Sequence, residues 1–187
     1  GIANNQPTAS NMVKLIWDVD LATVSQAHSD RCLLQHSASS TRDQNYATLT
    51  GNSSSWVGEN LAWVGGTGSS EYFRGFLATM HDNWTAEHAD YIFSNDSCPG
   101  GVCGHYTQVV WANTTRVGCG LTNCPGLNGA ANSALLVCAY FPGGNFNQQQ
   151  PYTVGAAATS CPEEFPENDN GLCKAATTVA TGATQVP

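Results

Sequence analysis

The sequence predicts an α+β protein, a three-layer α-β-α sandwich with a mostly antiparallel central sheet and a cysteine-bracketed hinge after it. Two observations lead to this class. Helical patterns of apolar residues flank a strand-rich segment, which favours helices packed on a sheet. The last predicted strand, residues 135–141, is apolar on both faces, as expected for a central strand that is covered by a layer on each side.

The first helix is predicted over residues 21–35, with Asp20 as its N-cap. Its buried face is marked by residues at helical spacing, namely Leu21, Val24, His28 and Cys32. Residues 37–55 are polar and rich in turn-forming residues, so they are predicted to form a loop.

The second helix is predicted over residues 69–89. One apolar stripe follows its length, formed by Phe73, Phe76, Leu77, Met80 and Trp84. Glu87 lies three residues beyond Trp84 and continues this stripe. A carboxylate in line with buried side chains needs a polar partner, unless the helix end is simply exposed at that point.

Three strands are predicted after the second helix. Residues 105–111 alternate, which places His105 and Trp111 on the same face. Residues 116–121 form a short glycine-rich strand, and residues 135–141 form the central one. The Pro-Gly-Gly-Asn run at 142–145 ends that strand.

The chain is predicted to divide into a body and a looser C-terminal part. The body covers residues 1–147. Residues 148–174 form a linker and a hinge, in which Cys161 and Cys173 bracket an acidic loop and are expected to bond to each other. Residues 175–187 are rich in Ala and Thr and are expected to form a flexible tail, because they cannot build a core.

Charge excludes several classes of partner. Acidic residues number 14 and basic residues 6, so the formal net charge is −8. The basic residues are not clustered, so neither nucleic acid nor an anionic membrane surface is an expected partner. No apolar run approaches the ~20 residues that a transmembrane helix needs.

Cysteines and glycosylation sequons indicate a secreted, extracellular protein. Eight cysteines are present, with no paired C-x-x-C motifs, which favours four disulfides and an oxidising compartment over a zinc site. Four Asn-x-Ser/Thr sequons give the expected glycosylation sites, Asn52, Asn83, Asn95 and Asn113.

Four short motifs, in this order, resemble those of the CAP superfamily of cysteine-rich secretory, venom antigen 5 and plant pathogenesis-related proteins. They are CLLQHS at 32–37, GENL at 58–61, GHYTQVVWANT at 104–114 and LLVCAYFPGGNF at 135–146. The PYTVG run at 151–155, which leads into the cysteine-bracketed hinge, resembles the venom-allergen-like (activation-associated) secreted proteins of parasitic nematodes.

The resemblance implies a disulfide pairing, and the sequence departs from the family pattern in two places. The implied bonds are Cys32–Cys124, Cys98–Cys103 and Cys119–Cys138. Ala139 stands where the family usually has a polar residue. The family's first helix, with its H-N-x-x-R motif, would lie before Gly1, so a CAP domain without that helix is expected, either trimmed or truly lacking it.

The resemblance also implies a cleft that contains two histidines and two glutamates. In this sequence they are His36, Glu59, Glu87 and His105. Imidazole nitrogen and carboxylate oxygen are zinc ligands, so a weakly bound divalent cation, zinc or magnesium, is expected there, with no cofactor required. The alternative is a hydrogen-bonded network in which the His–Glu pairs satisfy one another and bind nothing.

Ligand binding is the activity that the resemblance favours. Tyr91 and Phe93 match the aromatic loop that binds sterols in some CAP proteins, although Cys98 stands at the spacing of the third aromatic. The expected partner is therefore a sterol or a fatty acid, in the immunomodulatory setting of a parasite. The alternatives are that these two aromatics only pack the loop down, that the His/Glu cleft engages host proteins, or that a metal-assisted or Ser-dependent hydrolase is present. No catalytic residues are assigned, since no G-x-S-x-G or H-E-x-x-H motif occurs.

Overall fold

The structure is a computed structural model that describes residues 5–51, 56–66 and 70–177. Its helices and strands, in chain order, are β1 Ile16–Trp17, α1 Val19–Ser29, α2 Ser39–Thr50, β2 Gly58–Gly66, α3 Ser70–Arg74, α4 Leu77–Ala86, α5 Gly104–Val109, β3 Arg116–Asn123, β4 Asn132–Phe141, β5 Glu167–Asp169 and β6 Leu172–Lys174. Short 3₁₀ turns cover Glu87–Ala89, Phe93–Asn95 and Leu127–Gly129.

A four-stranded sheet in the order β1-β3-β4-β2 forms the middle layer. The pairs β3–β4 and β2–β4 are antiparallel, and the short β1 pairs with β3 in parallel. This confirms the predicted mostly antiparallel sheet. The central strand β4 is buried along almost its whole length, as its apolar sequence on both faces indicated.

Alternation along β4 separates the two outer layers. Ala139 packs with Leu21 of α1 and Tyr46 of α2 on one face. Tyr140 packs with Met80 and Trp84 of α4 on the other face. Because neighbouring residues of a strand point to opposite sides, the helices lie on both faces of the sheet, and the α-β-α sandwich is confirmed.

The first helix begins earlier and ends earlier than predicted. It covers Val19–Ser29, and Asp18, not Asp20, is the N-cap. The Asp18 carboxylate accepts hydrogen bonds from the backbone N–H groups of Asp20 and Leu21, both at 2.9 Å. The same side chain accepts from Tyr46 and Arg116, so tertiary partners fix which aspartate becomes the cap.

The prediction of a loop over residues 37–55 was wrong, because α2 occupies Ser39–Thr50. Two residues four apart, Arg42 and Tyr46, bury one face of this mainly polar helix. Gly51 ends it in the left-handed region at φ 73°. The burial of Arg42 and Tyr46, rather than an apolar stripe, stabilises this helix.

The prediction of one continuous helix over residues 69–89 was also only partly right. Two short helices, α3 and α4, are separated at Gly75 and Phe76. The predicted span ends in the 3₁₀ turn Glu87–Ala89. Residue 69 lies outside the described part of the chain. The buried stripe is nevertheless present in part, since Phe73, Met80 and Trp84 are all buried.

The predicted strand over residues 105–111 was wrong, because residues 104–109 form helix α5. The backbone N–H groups of His105 and Tyr106 donate to the carboxylate of Glu87, at 3.1 and 3.0 Å. A carboxylate that caps the first turn stabilises a helix. A contact 18 residues away in the sequence therefore overrides the alternating pattern.

Four disulfides are present, and they are the pairs that the sequence and the resemblance implied: Cys32–Cys124, Cys98–Cys103, Cys119–Cys138 and Cys161–Cys173. Cys119–Cys138 joins directly opposite residues of β3 and β4. Cys161–Cys173 closes the hinge that carries the β5–β6 hairpin.

The hinge segment is hydrogen-bonded to the start of the chain. Cys173 donates its N–H to the carbonyl of Met12 at 2.7 Å and accepts from the N–H of Lys14 at 2.8 Å. Ser10 donates to the carbonyl of Thr153 at 2.8 Å. The division at residue 147 stays a prediction, and most of the predicted tail, residues 178–187, lies outside the described residues. No helix in the described ranges is long and apolar enough to cross a bilayer.

Candidate functional site

The first half of the candidate site is a buried carboxylate, Glu59, near the start of β2. Its side chain is 1% exposed. It accepts hydrogen bonds from His36 Nδ1 (2.9 Å), Ser37 N (2.9 Å) and Ser37 Oγ (2.7 Å), and Arg42 Nη1 lies 3.3 Å away. Four groups from the α1–α2 connection and α2 therefore neutralise and saturate this carboxylate.

These partners set the ionisation of Glu59. Burial works to raise the pKa of its carboxyl group. The hydrogen bonds from His36 and Ser37 and the positive charge of Arg42 outweigh burial, so the pKa lies below its ordinary value. Glu59 is therefore an anion at neutral pH. Sequence reasoning missed Arg42 and Ser37, and the spacing of Arg42 and Tyr46 was the signal available for a helix there.

The second half of the site is the Glu87–His105 pair. Glu87 Oε1 lies 2.6 Å from His105 Nδ1, and Oε2 accepts the two backbone N–H groups that begin α5. The carboxylate thus caps the helix and orients the imidazole together. This resolves the two alternatives for Glu87, since the carboxylate has polar partners and is not simply an exposed helix end.

The two His–Glu pairs lie on opposite faces of the edge strand β2. Glu59 is opposite Ala139, which faces α1 and α2. Asn60 points the other way, and its side chain donates to the backbone carbonyl of His105 at 3.1 Å. Each imidazole is therefore oriented by its own carboxylate.

The exposed nitrogen of each imidazole is the atom that could bind a cation. Both rings use Nδ1 for the carboxylate, and Nε2 has no hydrogen-bond partner within the described part of the chain. His36 is well exposed, with 61% of its side chain accessible. Among the described residues, no three His, Cys, Asp or Glu side chains are grouped so that they could hold one metal ion.

The predicted lipid-binding aromatics lie in the core. Tyr91 is 4% exposed and Phe93 is 8% exposed. Tyr91 packs against Tyr106 with ring centroids 5.8 Å apart, and Phe93 packs against Tyr152 at 4.7 Å. Burial and the hydrogen bond to Asp96 raise the pKa of the Tyr91 hydroxyl well above its ordinary value.

The same loop presents other apolar side chains to solvent. Ile92, between the two buried aromatics, is 42% exposed, and Val102 is 64% exposed. The Cys98–Cys103 disulfide closes this loop next to Val102. The burial of Tyr91 and Phe93 agrees with the alternative that these two aromatics pack the loop down, and Ile92 between them is exposed to solvent.

Three of the predicted glycosylation asparagines lie on the surface of the molecule. Asn83, Asn95 and Asn113 are exposed, so each is accessible to a modifying enzyme. Asn52 lies outside the described residues. Glycosylation of the four sequons stays a prediction.

This fold and its two His–Glu pairs define a CAP domain, and the comparisons with known proteins agree. The model of the cysteine-rich secretory protein (CAP) family matches residues 7–140. The chain therefore belongs to the CAP family.

Individual relatives are at least 35% identical to this chain over the aligned residues. Human GLIPR1-like protein 1 is 38% identical over 158 residues, which cover 84% of this chain and 60% of that protein. Mouse peptidase inhibitor 16 is 35% identical over 175 residues, which cover 92% of this chain and 31% of that protein. The chain thus spans less than two thirds of the length of either relative.

Solved structures of venom allergen-like proteins share the fold. Venom allergen-like protein 4 of Schistosoma mansoni superposes with a TM-score of 0.63 at 28% identity and covers 82% of each chain. BmVAL-1 superposes with a TM-score of 0.72 at 24% identity and covers 92% of this chain and 81% of that one. The structure therefore shows the resemblance to venom allergen-like proteins.

Proposed function

We propose that this chain is the CAP domain of a secreted protein that binds a sterol or a related small lipid, and that it acts by binding rather than by catalysis. The observation that carries the proposal is the exposure of two apolar side chains, Val102 in the loop closed by Cys98–Cys103 and Ile92 in the segment before it. Both cysteines of this loop pack with the buried aromatic cluster that contains Tyr91 and Phe93. A rigid base reduces the entropy lost when a ligand covers the loop.

Lipid contact would come from Ile92 and Val102 rather than from the buried aromatics. Full burial of each such side chain contributes about 1.5–3 kcal/mol. Because both are already partly buried, these two residues supply part of the roughly −8 kcal/mol of micromolar binding.

The arrangement around Ser37 supports a binding role over a hydrolase. A serine nucleophile needs a base that accepts its proton. Ser37 Oγ donates to Glu59 Oε2 at 2.7 Å and lies 2.8 Å from Arg42 Nη1, and His36 directs its Nδ1 to the same carboxylate. The hydroxyl is thus held in a structural network with a carboxylate that is already saturated.

The lipid proposal predicts that the variant Ile92→Asp, Val102→Asp binds cholesterol at least roughly tenfold more weakly than the parent, since each change places a charge where apolar surface must be buried. Equilibrium binding of labelled cholesterol to lipid-free protein, with detergent below its micelle concentration, measures this. The matched control is Leu49→Asp, Val154→Asp, which alters two equally exposed apolar side chains outside the loop.

Equal cholesterol affinity of the loop variant and the parent would contradict the proposal, and so would the absence of saturable binding by the parent. The second result would favour the other candidate, a protein–protein effector that uses the exposed His36 beside the cleft. An immunomodulatory setting in a parasite is part of the same proposal.

We further propose that the imidazoles of His36 and His105 approach each other around the edge of β2 and form a weak divalent-cation site. A carboxylate that holds Nδ1 fixes the tautomer and directs the Nε2 lone pair outward, which is the usual arrangement of metal-ligating histidines. The glutamate oxygens are occupied by their own hydrogen bonds. Two protein ligands leave water to complete the coordination of zinc, so we expect low affinity.

Zinc is expected to raise the melting temperature of the parent at pH 7.5, because a ligand that binds the folded state stabilises it. The variant His36→Ala, His105→Ala should lose this shift, and the surface variant His81→Ala should keep it. Thermal unfolding followed by circular dichroism, with and without zinc, gives the comparison. A shift of equal size in the parent and in the double variant would rule out this site.

A further inference from the structure

A polar groove follows the segment after β4. Two adjoining cavities of about 380 Å³ and 530 Å³ share Gln150 in their walls. The first is lined by residues 94–96 and by Asn147 and Gln148. The second continues along residues 149–154 to Trp111 and Asn113.

Several Asn and Gln side chains line the groove, and four of these amides are not engaged in the fold. Asn113, Asn147, Gln148 and Gln149 make no side-chain hydrogen bonds within the described part of the chain, and all four are exposed. Each amide carries both donors and an acceptor. The groove therefore presents a row of groups that can both donate to and accept from the same ligand.

Charge in the groove is nearly absent. Among its described lining residues there is no Lys, Arg or His, and the single carboxylate is Asp96. Asp96 Oδ1 already accepts the hydroxyl hydrogen of Tyr91 at 2.8 Å. An anion would find no cation to pair with, and a metal ion would find too few carboxylates. A neutral polar ligand fits this lining.

An aromatic side chain lies beside the amides. Phe146 directly precedes Asn147 in the chain and is about half exposed. It does not itself line either cavity, but it packs against Trp111, which lines the second one, with ring centroids 6.0 Å apart. An exposed ring face next to mixed donors and acceptors suits a ligand with one apolar C–H face and many hydroxyl groups.

We propose that this groove binds a neutral oligosaccharide. Sugar hydroxyls donate and accept as the amides do, and a pyranose ring presents a C–H face to Phe146. Asn95 and Asn113, two of the sequon asparagines, lie in the walls of the groove. An attached glycan would compete for the same space, so the groove has to be tested without one.

The test uses the full chain with the changes Ser97→Ala and Thr115→Ala, which remove both sequons and keep the two asparagines. Chitotriose, mannotriose and lactose serve as probes, and binding is followed by saturation-transfer NMR and by tryptophan fluorescence. We expect saturable binding of at least one probe. The added changes Asn147→Leu and Gln149→Leu should weaken it roughly fivefold or more, because two hydrogen-bonding groups are lost.

The matched control carries Gln44→Leu and Asn45→Leu, two exposed amides of α2 whose side chains make no hydrogen bonds within the described residues. This variant should bind the probe as the parent does. The proposal is overturned if none of the three sugars binds at millimolar concentration, or if the groove variant and the control bind equally well.

Discussion

Replacing Tyr91 and Phe93 together by alanine is expected to lower the free energy of unfolding by roughly 6 kcal/mol or more, since buried Phe→Ala changes each cost about 3–5 kcal/mol. Both rings are almost completely buried and pack with Tyr106 and Tyr152. Their removal would leave a cavity under the loop. Asp96 would also lose the hydrogen bond that it accepts from the Tyr91 hydroxyl.

Urea or guanidinium unfolding followed by circular dichroism measures this loss. The exposed neighbour Ile92 provides the control, since Ile92→Ala should change stability by about 1 kcal/mol or less. A loss below about 2 kcal/mol for the double variant would show that the aromatic cluster is not the base of the loop.

This expected result also decides how lipid binding has to be tested. A variant that lacks Tyr91 and Phe93 would lose lipid binding together with its folded loop, whatever the ligand contacts. The surface changes at Ile92 and Val102 avoid this ambiguity, because their side chains are exposed.

The second large effect is expected from the Cys32–Cys124 disulfide. It joins residues 92 positions apart, and a loop of that length corresponds to a stabilisation of about 4–5 kcal/mol in the chain-entropy model. Cys98–Cys103 closes a separation of 5 residues and corresponds to about 2 kcal/mol. The variant Cys32→Ala, Cys124→Ala should therefore be the less stable of the two double variants.

Packing around Cys124 adds to the loss of stability that chain entropy predicts for this variant. This residue is fully buried against Leu135 and Val137 of the central strand, so alanine there also removes core contacts. Melting temperatures of the two double variants under non-reducing conditions give the comparison. Equal losses, or a larger loss for the Cys98–Cys103 variant, would contradict the expectation.

The sequence predicted the parts of the fold that depend on local pattern. The stripe of Phe73, Met80 and Trp84 marks a helical face because apolar residues three and four apart lie on one side of a helix. The apolar run of β4 marks a strand covered on both faces. The family motifs added the disulfide pairs, which spacing alone leaves open among 105 connectivities.

The elements that the sequence did not predict correctly depend on distant partners. Residues 105–111 alternate as a strand does, yet Glu87 caps them as a helix. Residues 39–50 lack an apolar stripe, yet Arg42 reaches the carboxylate of Glu59 and Tyr46 reaches Asp18. Local propensity is worth a fraction of a kcal/mol per residue, so a few buried hydrogen bonds override it.

The same distinction holds for the candidate site. The sequence, through its resemblance to the CAP family, indicated the candidate residues, namely two histidines, two glutamates and the aromatics Tyr91 and Phe93. Only the tertiary structure decided that each glutamate orients one imidazole, and that Ile92, rather than Tyr91 or Phe93, faces solvent. The physical reason is that hydrogen-bond partners and burial are set by elements far apart in the chain, which a local pattern does not specify.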